Sequence, residues 1–283
     1  MKALATVTSD GFVPATMVML HSFLEQNQRF SGDLVLIESD LSERHKAAFQ
    51  SSFERIKFVK PRAPLRENVD RLIDAMPSFG KQAAQFHSIE AIGLTQYDRV
   101  LFCDSDILFR GSIEPLFEMP YALICCGDGS VCRGTMRDPE SFVEEADDPE
   151  KAGLRSAFNA GFMVMDKSIR TLENLDRLVA MIDPSKWHEN ATGHTDQLLF
   201  NRVFEGKQHL IGPAYNFVLL HRKDIAKRWG LGVTDARVLH FNGSAKPWKP
   251  ATVQRLIQSD PEARKAVAWW NAAYKDCLSK RLC

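Results

Sequence analysis

Short apolar runs alternate with segments of helical periodicity through the first part of the chain. Lys2–Thr8, Leu34–Ile37 and Ile56–Val59 are typical of buried strands, because each is short and rich in apolar or β-branched residues. Between them, apolar residues recur every three or four positions from Val13 to Leu24, and a serine cap opens the helical pattern Ser42–Phe53. This order of elements predicts an α/β fold with a parallel sheet and crossover helices.

The pattern is less regular in the middle of the chain. Pro61–Pro77 predicts an irregular connection, and Lys81–Thr95 predicts a helix that leads into the apolar strand Val100–Cys103. Gly127–Ser156 lacks a clear period, which favours a functional loop. Near the end, apolar residues at spacings of three and four over Pro261–Leu278 predict a helix that packs on the preceding domain.

Two aspartates follow the predicted strand Val100–Cys103. Because side chains alternate along an extended chain, Asp104 and Asp106 are expected to point the same way, with the small Ser105 between them. Two carboxylates that share a direction can bind a divalent cation, and the cation can in turn bind a diphosphate. A solvated turn after a strand explains the same residues without a ligand.

Two further polar segments lie at the ends of predicted strands. Thr8–Phe12 follows the first strand, at the edge where ligands of open α/β sheets bind, and the Phe12 ring could stack on a base. Phe158–Gly161 precedes the predicted strand Phe162–Met165, and its Asn159 offers a hydrogen-bonding amide. A turn with a helix cap explains the first segment equally, and a tight turn explains the second.

A carboxylate and an amide stand side by side in Asp196 and Gln197, where they could face the hydroxyls and reacting carbon of a sugar. The structural alternative is the first turn of a helix over His194–Phe204, with Thr195 as its cap.

The segment HFNGSAKPW at 240–248 combines three kinds of ligand. His240 ends a predicted strand and can bind a metal through a neutral imidazole. Gly243 permits a tight turn against a phosphate, and Lys246 supplies a positive charge to it.

Composition narrows the classes of function. Apolar residues make up 45% of the 283 residues, and 36 basic residues balance 36 acidic ones, so we expect no nucleic-acid partner. The sequence shows no membrane-spanning run and no signal-peptide pattern, and its six cysteines form no C-x-x-C pair. We therefore expect free thiols and a cytoplasmic protein. Basic residues near the end, with Trp269 and Trp270, would suit peripheral contact with the inner face of a membrane, although a docked amphipathic helix explains them equally.

Taken in order, the polar segments resemble glycosyltransferase family 8, the family of glycogenin and of bacterial lipooligosaccharide galactosyltransferases. The resemblance covers about residues 3 to 250, and the His-Phe-x-Gly-x-x-Lys-Pro-Trp element is its most specific part. The matching segments are Thr8–Phe12, Lys81, Asp104–Asp106, Asn159–Gly161, Asp196–Gln197 and His240–Trp248. We expect a catalytic domain at residues 1–250 and a helical extension at 251–283 packed on it.

The resemblance implies a GT-A fold, which is Rossmann-like with a mostly parallel central sheet. It implies a UDP-linked donor carrying glucose, galactose or galacturonate, a Mn²⁺ ion with Mg²⁺ as the alternative, and transfer with retained anomeric configuration. The implied metal ligands are Asp104, Asp106 and His240. The implied nucleotide-binding residues are Thr8, Ser9, Phe12, Ser105, Gly243 and Lys246. The implied sugar-binding residues are Lys81, Asn159, Ala160, Asp196 and Gln197, of which Gln197 and Asp196 are the candidate catalytic residues.

Several alternatives remain open at this stage. The acceptor is a glycan, a lipid-linked sugar or a small molecule, and the sequence leaves the oligomeric state open. Same-face attack by the acceptor is favoured over a covalent intermediate on Asp196, because the neighbouring Gln197 amide is a poor nucleophile. A non-catalytic sugar-nucleotide-binding or glycan-binding protein would keep the same fold. A nucleotidyltransferase or an aspartyl phosphatase would instead need its own motif at Thr6–Gly11, where neither motif is found.

Overall fold

The computed structural model describes residues 1–135, 157–187 and 195–281. Its strands are β1 Lys2–Thr8, β2 Asp33–Glu38, β3 Ile56–Val59, β4 Arg99–Cys103, β5 Ile107–Phe109, β6 Leu123–Gly127, β7 Phe158–Asp166, β8 Gln208–Ile211, β9 Phe217–Val218 and β10 Val238–His240. Its α-helices are α1 Val13–Gln26, α2 Glu43–Ser52, α3 Ala63–Ala75, α4 Ala83–Phe86, α5 Gly129–Arg133, α6 Leu172–Ala180, α7 Pro184–Trp187, α8 Asp196–Val203, α9 Arg222–Trp229, α10 Pro250–Ser259 and α11 Pro261–Arg281.

A seven-stranded sheet in the order β3-β2-β1-β4-β7-β6-β8 forms the centre of the fold. Four of its six strand pairs are parallel, and β7 runs antiparallel to both of its neighbours. The predicted α/β class with a mostly parallel sheet is therefore confirmed. Because β7 runs the other way, its first residues lie at the same edge as the last residues of β4, where Cys103 pairs with Phe162.

Apolar side chains cover both faces of this sheet. In β4, Val100 and Phe102 belong to one buried cluster, whereas Leu101 and Cys103 belong to the other. Helices α3 and α6 complete the first cluster, and α1 and α2 complete the second. Burial on both faces explains why the predicted strand Val100–Cys103 of β4 appears in the sequence as a continuous apolar run rather than as an alternating pattern.

A second, three-stranded sheet in the order β5-β10-β9 adjoins the first, since β5 follows β4 after a short turn. The predicted C-terminal helix is present as α11, and it packs along α1. Cys277 Sγ lies 3.6 Å from the Met17 carbonyl oxygen, and His21 Nε2 lies 2.8 Å from Asp276 Oδ2. The division of the chain at residue 250 stays a prediction.

Three predictions about local structure are wrong. Pro61–Pro77 contains the regular helix α3, whose Leu65, Val69 and Leu72 form a buried stripe. Lys81–Thr95 is not one helix, because the short helix α4 lies between two 3₁₀ segments, Pro77–Gln82 and His87–Gly93. Phe158–Gly161 is not a turn ahead of a strand but the beginning of β7.

The predicted irregular loop Gly127–Ser156 begins with the short helix α5, and its residues 136–156 lie outside the described residues, as do His194 and Cys283. Within the described ranges, five cysteines are free and buried. No helix in those ranges combines the length and the apolar character that crossing a bilayer requires.

Candidate active site

A cavity of about 470 Å³ opens where β1 and β4 end. The predicted site residues that line it are Thr8, Ser9, Phe12, Asp104, Ser105, Asp106, Asn159, Ala160, Asp196, Gln197, His240, Gly243 and Lys246. Lys81 is the exception: it is exposed and does not line this cavity, whereas the neighbouring Gln82 and Gln85 do. The structure thus brings together side chains that are far apart in the sequence.

Asp104, Asp106 and His240 meet on one side of the cavity. The aspartates occupy the turn between β4 and β5, and His240 ends β10, where it pairs with Ile107 of β5. His240 Nε2 lies 3.4 Å from Asp104 Oδ2 and 3.1 Å from Asp106 Oδ1. One ligand atom from each residue lies within 4.8 Å of the other two, a spacing suited to a shared cation.

The oxygens of Asp106 support this assignment. Oδ2 accepts a hydrogen bond from Lys246 Nζ, which also donates to the Phe241 carbonyl oxygen at 2.7 Å. Oδ1 is buried and accepts no hydrogen bond within the described residues, although His240 Nε2 is close by. A buried carboxylate oxygen without a donor is costly, and a cation would satisfy it. The residues therefore fit a divalent metal that prefers oxygen and imidazole ligands.

The charged groups of this cluster shift the pKa values of Asp106 and His240. Burial would raise the pKa of Asp106, but the charges of Lys246 and His240 outweigh burial and hold that pKa below its ordinary value. Burial would lower the pKa of His240, but Asp106 and Asp104 raise it to about 9. A metal binds His240 only in its neutral form, so binding would release the Nε2 proton.

Gly161 allows the ligands to approach one another. A Cβ at this position would lie 2.5 Å from Asp104 Oδ2 and 2.6 Å from His240 Cε1. Its carbonyl oxygen accepts a hydrogen bond from the Asp104 backbone N–H at 3.0 Å. Because Gly161 has no side chain, the Asp104 and His240 side chains can lie this close to its backbone.

Asp196 and Gln197 begin α8 and line the same cavity. Ser88 Oγ donates to Asp196 Oδ2 at 2.6 Å, and Thr195 Oγ1 lies 2.9 Å from Asp196 Oδ1. Burial, assisted by the charge of Asp104, raises the pKa of Asp196 to about 6. Asn159 Nδ2 donates to Gln197 Oε1 at 3.1 Å.

The sequence that forms this cavity matches a known enzyme family. The sequence model of glycosyl transferase family 8 matches residues 3–252, which is most of the chain. The chain belongs to glycosyltransferase family 8. The family assignment and the glycosyltransferase class that it carries confirm the resemblance seen in the sequence.

Two characterised relatives illustrate the breadth of family 8. Lipopolysaccharide glucosyltransferase WaaO of Escherichia coli is 26% identical over a match that covers 62% of this chain and 54% of WaaO. Human glycogenin-1 is 22% identical over 95% of this chain and 71% of glycogenin-1. The chain thus spans about half of one of these relatives.

The solved structure of galactosyltransferase LgtC with donor and acceptor sugar analogues shares the fold. It covers 97% of this chain and 95% of LgtC with a TM-score of 0.66 at 16% identity. A structure of LgtC with its active-site glutamine changed to glutamate matches equally, with a TM-score of 0.66. The predicted GT-A fold is confirmed by this likeness.

Phe12 lines the cavity just after the end of β1 and contacts further aromatic rings. The Phe12 ring contacts Trp248 edge to face with centroids 5.5 Å apart, and Lys249 Nζ lies 5.4 Å from the Phe12 centroid. Trp248 in turn contacts Trp270 of α11 with centroids 5.9 Å apart. The Thr8 hydroxyl is hydrogen-bonded to Thr16 at 2.8 Å, so Thr8 faces the cavity with this hydroxyl already engaged.

Sequence reasoning missed Gln82, Gln85 and Ser88, which line the cavity, and Asp128 and Asn216, which hydrogen-bond to residues that line it. Asp128 follows β6 and caps α5, and its Oδ2 lies 3.4 Å from Gln197 Nε2. The rule that singled out Asp104, a polar residue just after a strand, would also have found Asp128. Ser88 lies in a 3₁₀ segment and Asn216 ends a 3₁₀ turn before β9, positions without a local signal.

Proposed function

We propose that this family 8 protein transfers a hexose from a UDP-sugar to a hydroxyl of a glycan acceptor, with Mn²⁺ bound and with retention of configuration. The cluster of Asp104, Asp106 and His240 beside Lys246 is the observation that carries the proposal. Retained metal ligands argue for an enzyme rather than a binding protein of the same fold. Glucose and galactose are the favoured donor sugars, because WaaO is a glucosyltransferase and LgtC is a galactosyltransferase.

In this proposal, Asp104, Asp106 and His240 would hold the Mn²⁺ ion. When bound, the ion neutralises negative charge that accumulates on the leaving diphosphate. The Lys246 ammonium lies against Asp106, at the same end of the cavity, and adds positive charge there. Gly243, with φ of 87°, allows the backbone to turn beside these groups. Ser9, Ser105 and the Phe12 ring line the space assigned to the nucleotide.

The sugar would lie between this cluster and α8. Asp196 and Asn159 offer hydrogen-bonding groups for its hydroxyls, and Ala160 lines the wall beside them. Lys81, which is exposed, has no place in this sugar-binding surface. Gln197 is held between Asn159 and Asp128, which keeps its amide on the sugar side of the cavity.

Retention follows from same-face attack. The bond between the anomeric carbon and the phosphate oxygen breaks while the acceptor oxygen bonds to the same face, and the acceptor proton passes to the departing phosphate. Gln197 Oε1 accepts hydrogen bonds from Asn159 Nδ2 and the Ala160 N–H, so it is a weak nucleophile. The Asp196 carboxylate is engaged by Ser88 and Thr195, which disfavours a covalent intermediate there.

Mn²⁺-dependent hydrolysis of UDP-glucose, UDP-galactose and UDP-galacturonate tests the proposal in one assay. We expect release of UDP from one of them and loss of this release when a chelator is added. ¹H NMR of the sugar first released should show an axial anomeric hydroxyl, as retention of configuration requires. The Asp104→Ala and Asp106→Ala variants should bind neither Mn²⁺ nor donor. Donor binding by the wild-type protein without turnover would replace the proposal with the non-catalytic alternative.

A further inference from the structure

The side chains between the metal cluster and Gln197 form one continuous hydrogen-bonded chain. His240 Nδ1 lies 3.0 Å from Asn216 Oδ1, and Asn216 Nδ2 donates to Asn159 Oδ1 at 2.8 Å. Asn159 Nδ2 donates to Gln197 Oε1 at 3.1 Å, and Gln197 Nε2 lies 3.4 Å from Asp128 Oδ2. These bonds link His240, a proposed metal ligand, to Gln197, which the proposed function places beside the anomeric carbon.

Backbone N–H groups fix the direction of every bond in this chain. The Gly161 N–H donates to Asn159 Oδ1 at 3.1 Å, and a backbone N–H can only donate. The Asn159 side-chain oxygen must therefore face Gly161 and Asn216, and the Asn216 NH₂ group must donate the hydrogen bond to it. The Asn216 oxygen then faces His240, so the ring nitrogen Nδ1 carries a proton.

The consequence for His240 is a defined tautomer when the ring is neutral. With Nδ1 protonated, the free lone pair is on Nε2, the atom that faces Asp104 and Asp106. A metal-binding histidine is commonly oriented in this way by an acceptor on its other nitrogen. Asn216 is 1% exposed, which leaves its amide little freedom to turn.

On the other side, Asn216 supports the sugar site. Its NH₂ group holds Asn159, whose own NH₂ group holds Gln197 Oε1. The Ala160 N–H also points to Gln197 Oε1 at 3.4 Å, so the orientation of this amide is fixed from the backbone as well. The two ends of Asn216 thus serve different parts of the site.

We propose that Asn216 is a positioning residue that couples the two halves of the active site. Its oxygen orients His240 for metal binding, and its nitrogen orients Asn159 and, through it, Gln197. The inference rests on the proposed function, because it assigns His240 as a metal ligand. Substitutions of Asn216 should therefore change Mn²⁺ affinity and kcat separately, whereas substitutions of a residue with only a structural role would lower both together.

Two substitutions divide the effects. Asn216→Leu removes both hydrogen bonds, whereas Asn216→Asp keeps an oxygen for His240 Nδ1 but cannot donate to Asn159. Asn27→Leu is the matched control, because Asn27 is also 1% exposed and makes hydrogen bonds to Phe23 and Ile113 in another part of the protein. Circular dichroism and thermal unfolding establish that each variant is folded.

Mn²⁺ affinity of the full chain, measured without nucleotide from the electron paramagnetic resonance signal of free Mn²⁺, is the first readout. The Leu variant of Asn216 should bind Mn²⁺ about 10–100-fold more weakly than wild type. The Asp variant should bind Mn²⁺ at least as tightly as wild type, because a carboxylate also accepts from His240 Nδ1, and the Asn27 control should match wild type. The second readout is kcat at saturating Mn²⁺ and donor. The Asp variant should lose about tenfold or more in kcat, because Asn159 has lost its donor.

The outcomes separate this inference from the proposed function. Wild-type Mn²⁺ affinity in the Leu variant, or weakened affinity in the Asp variant, would overturn the role of Asn216 while leaving the metal site intact. Wild-type kcat in the Asp variant would overturn the coupling to Gln197. Absence of Mn²⁺ binding by the wild-type protein would overturn the proposed function and this inference together.

Discussion

Asp196→Asn should make the protein more stable at neutral pH and less active. The carboxyl group lies in the cavity wall, where burial raises its pKa to about 6 from an ordinary value of 3.8. The Thr195 hydroxyl has a single hydrogen but lies 2.6 Å from Gln85 Oε1 and 2.9 Å from Asp196 Oδ1. A proton on Asp196 resolves this conflict, because the carboxyl group then donates to Thr195, which donates to Gln85.

The sign and size of the effect follow from the two pKa values. A carboxyl group whose pKa is raised on folding contributes stability that is fully present below about pH 4 and is lost as the pH rises through about 6. A shift of about 2 units corresponds to an upper limit of about 3 kcal/mol, of which about 2 kcal/mol is lost between about pH 4.5 and pH 7.5. The asparagine side chain is neutral throughout and escapes this loss.

Urea unfolding of wild type and the Asp196→Asn variant, followed by circular dichroism across that pH range, measures the effect. The variant-minus-wild-type free energy of unfolding should rise by about 2 kcal/mol from about pH 4.5 to pH 7.5. Asp183→Asn is the control, since hydrogen bonds from the Ser185 hydroxyl and backbone lower the pKa of Asp183. Its difference should be flat in this range, and an equally flat profile for Asp196→Asn would refute the reasoning.

Three further substitutions test the cluster and its surroundings. Gly161→Ala should weaken Mn²⁺ binding by about tenfold or more, because the methyl group would lie 2.5 Å from an Asp104 oxygen; Gly212→Ala, with no atom within 4 Å of its added Cβ, should not. Lys246→Met should lower the free energy of unfolding by about 3–5 kcal/mol in urea titrations without metal, since it removes the ammonium partner of the buried Asp106 carboxylate and leaves only His240 beside it, and Mn²⁺ should recover part of the loss. Gln197→Ala should lower kcat by about 100-fold while calorimetry shows unchanged UDP affinity; unchanged kcat would remove this amide from the mechanism.

The sequence predicted the elements whose signals are local. β1, β2 and β3 are short and rich in apolar or β-branched residues, and each has the type and nearly the bounds expected of it. Lys81–Thr95 misled the periodicity argument because its apolar residues fit a helix, whereas the chain there winds mostly as 3₁₀ turns. Phe158–Gly161 was placed ahead of the strand because a polar residue close to a glycine is typical of a turn, although here these residues are the first of β7.

The sequence predicted the metal cluster but not Asn216, the residue that orients it. Asp104, Asp106 and His240 each end or follow a predicted strand, so their chemistry marked them before the strands were paired. Asn216 carries no such mark, because its importance depends on contacts with two residues that are distant in the sequence. Lys81 was placed by resemblance alone, and the 3₁₀ segment that carries it leaves it exposed.

The pairing of β5 with β10 has a consequence for how such chains diverge. His240 lies opposite Ile107, so the ligand geometry depends on the register of two three-residue strands and not on the length of chain between them. Insertions in the loops between these strands would leave the cluster unchanged. Deletion of one residue within Ile107–Phe109 would shift the register of β5 against β10 by one residue and turn the adjacent Asp106 side chain to the opposite face of the strand. Chains of very different length can therefore keep the same arrangement of these three side chains, with their differences in length confined to the connections around it.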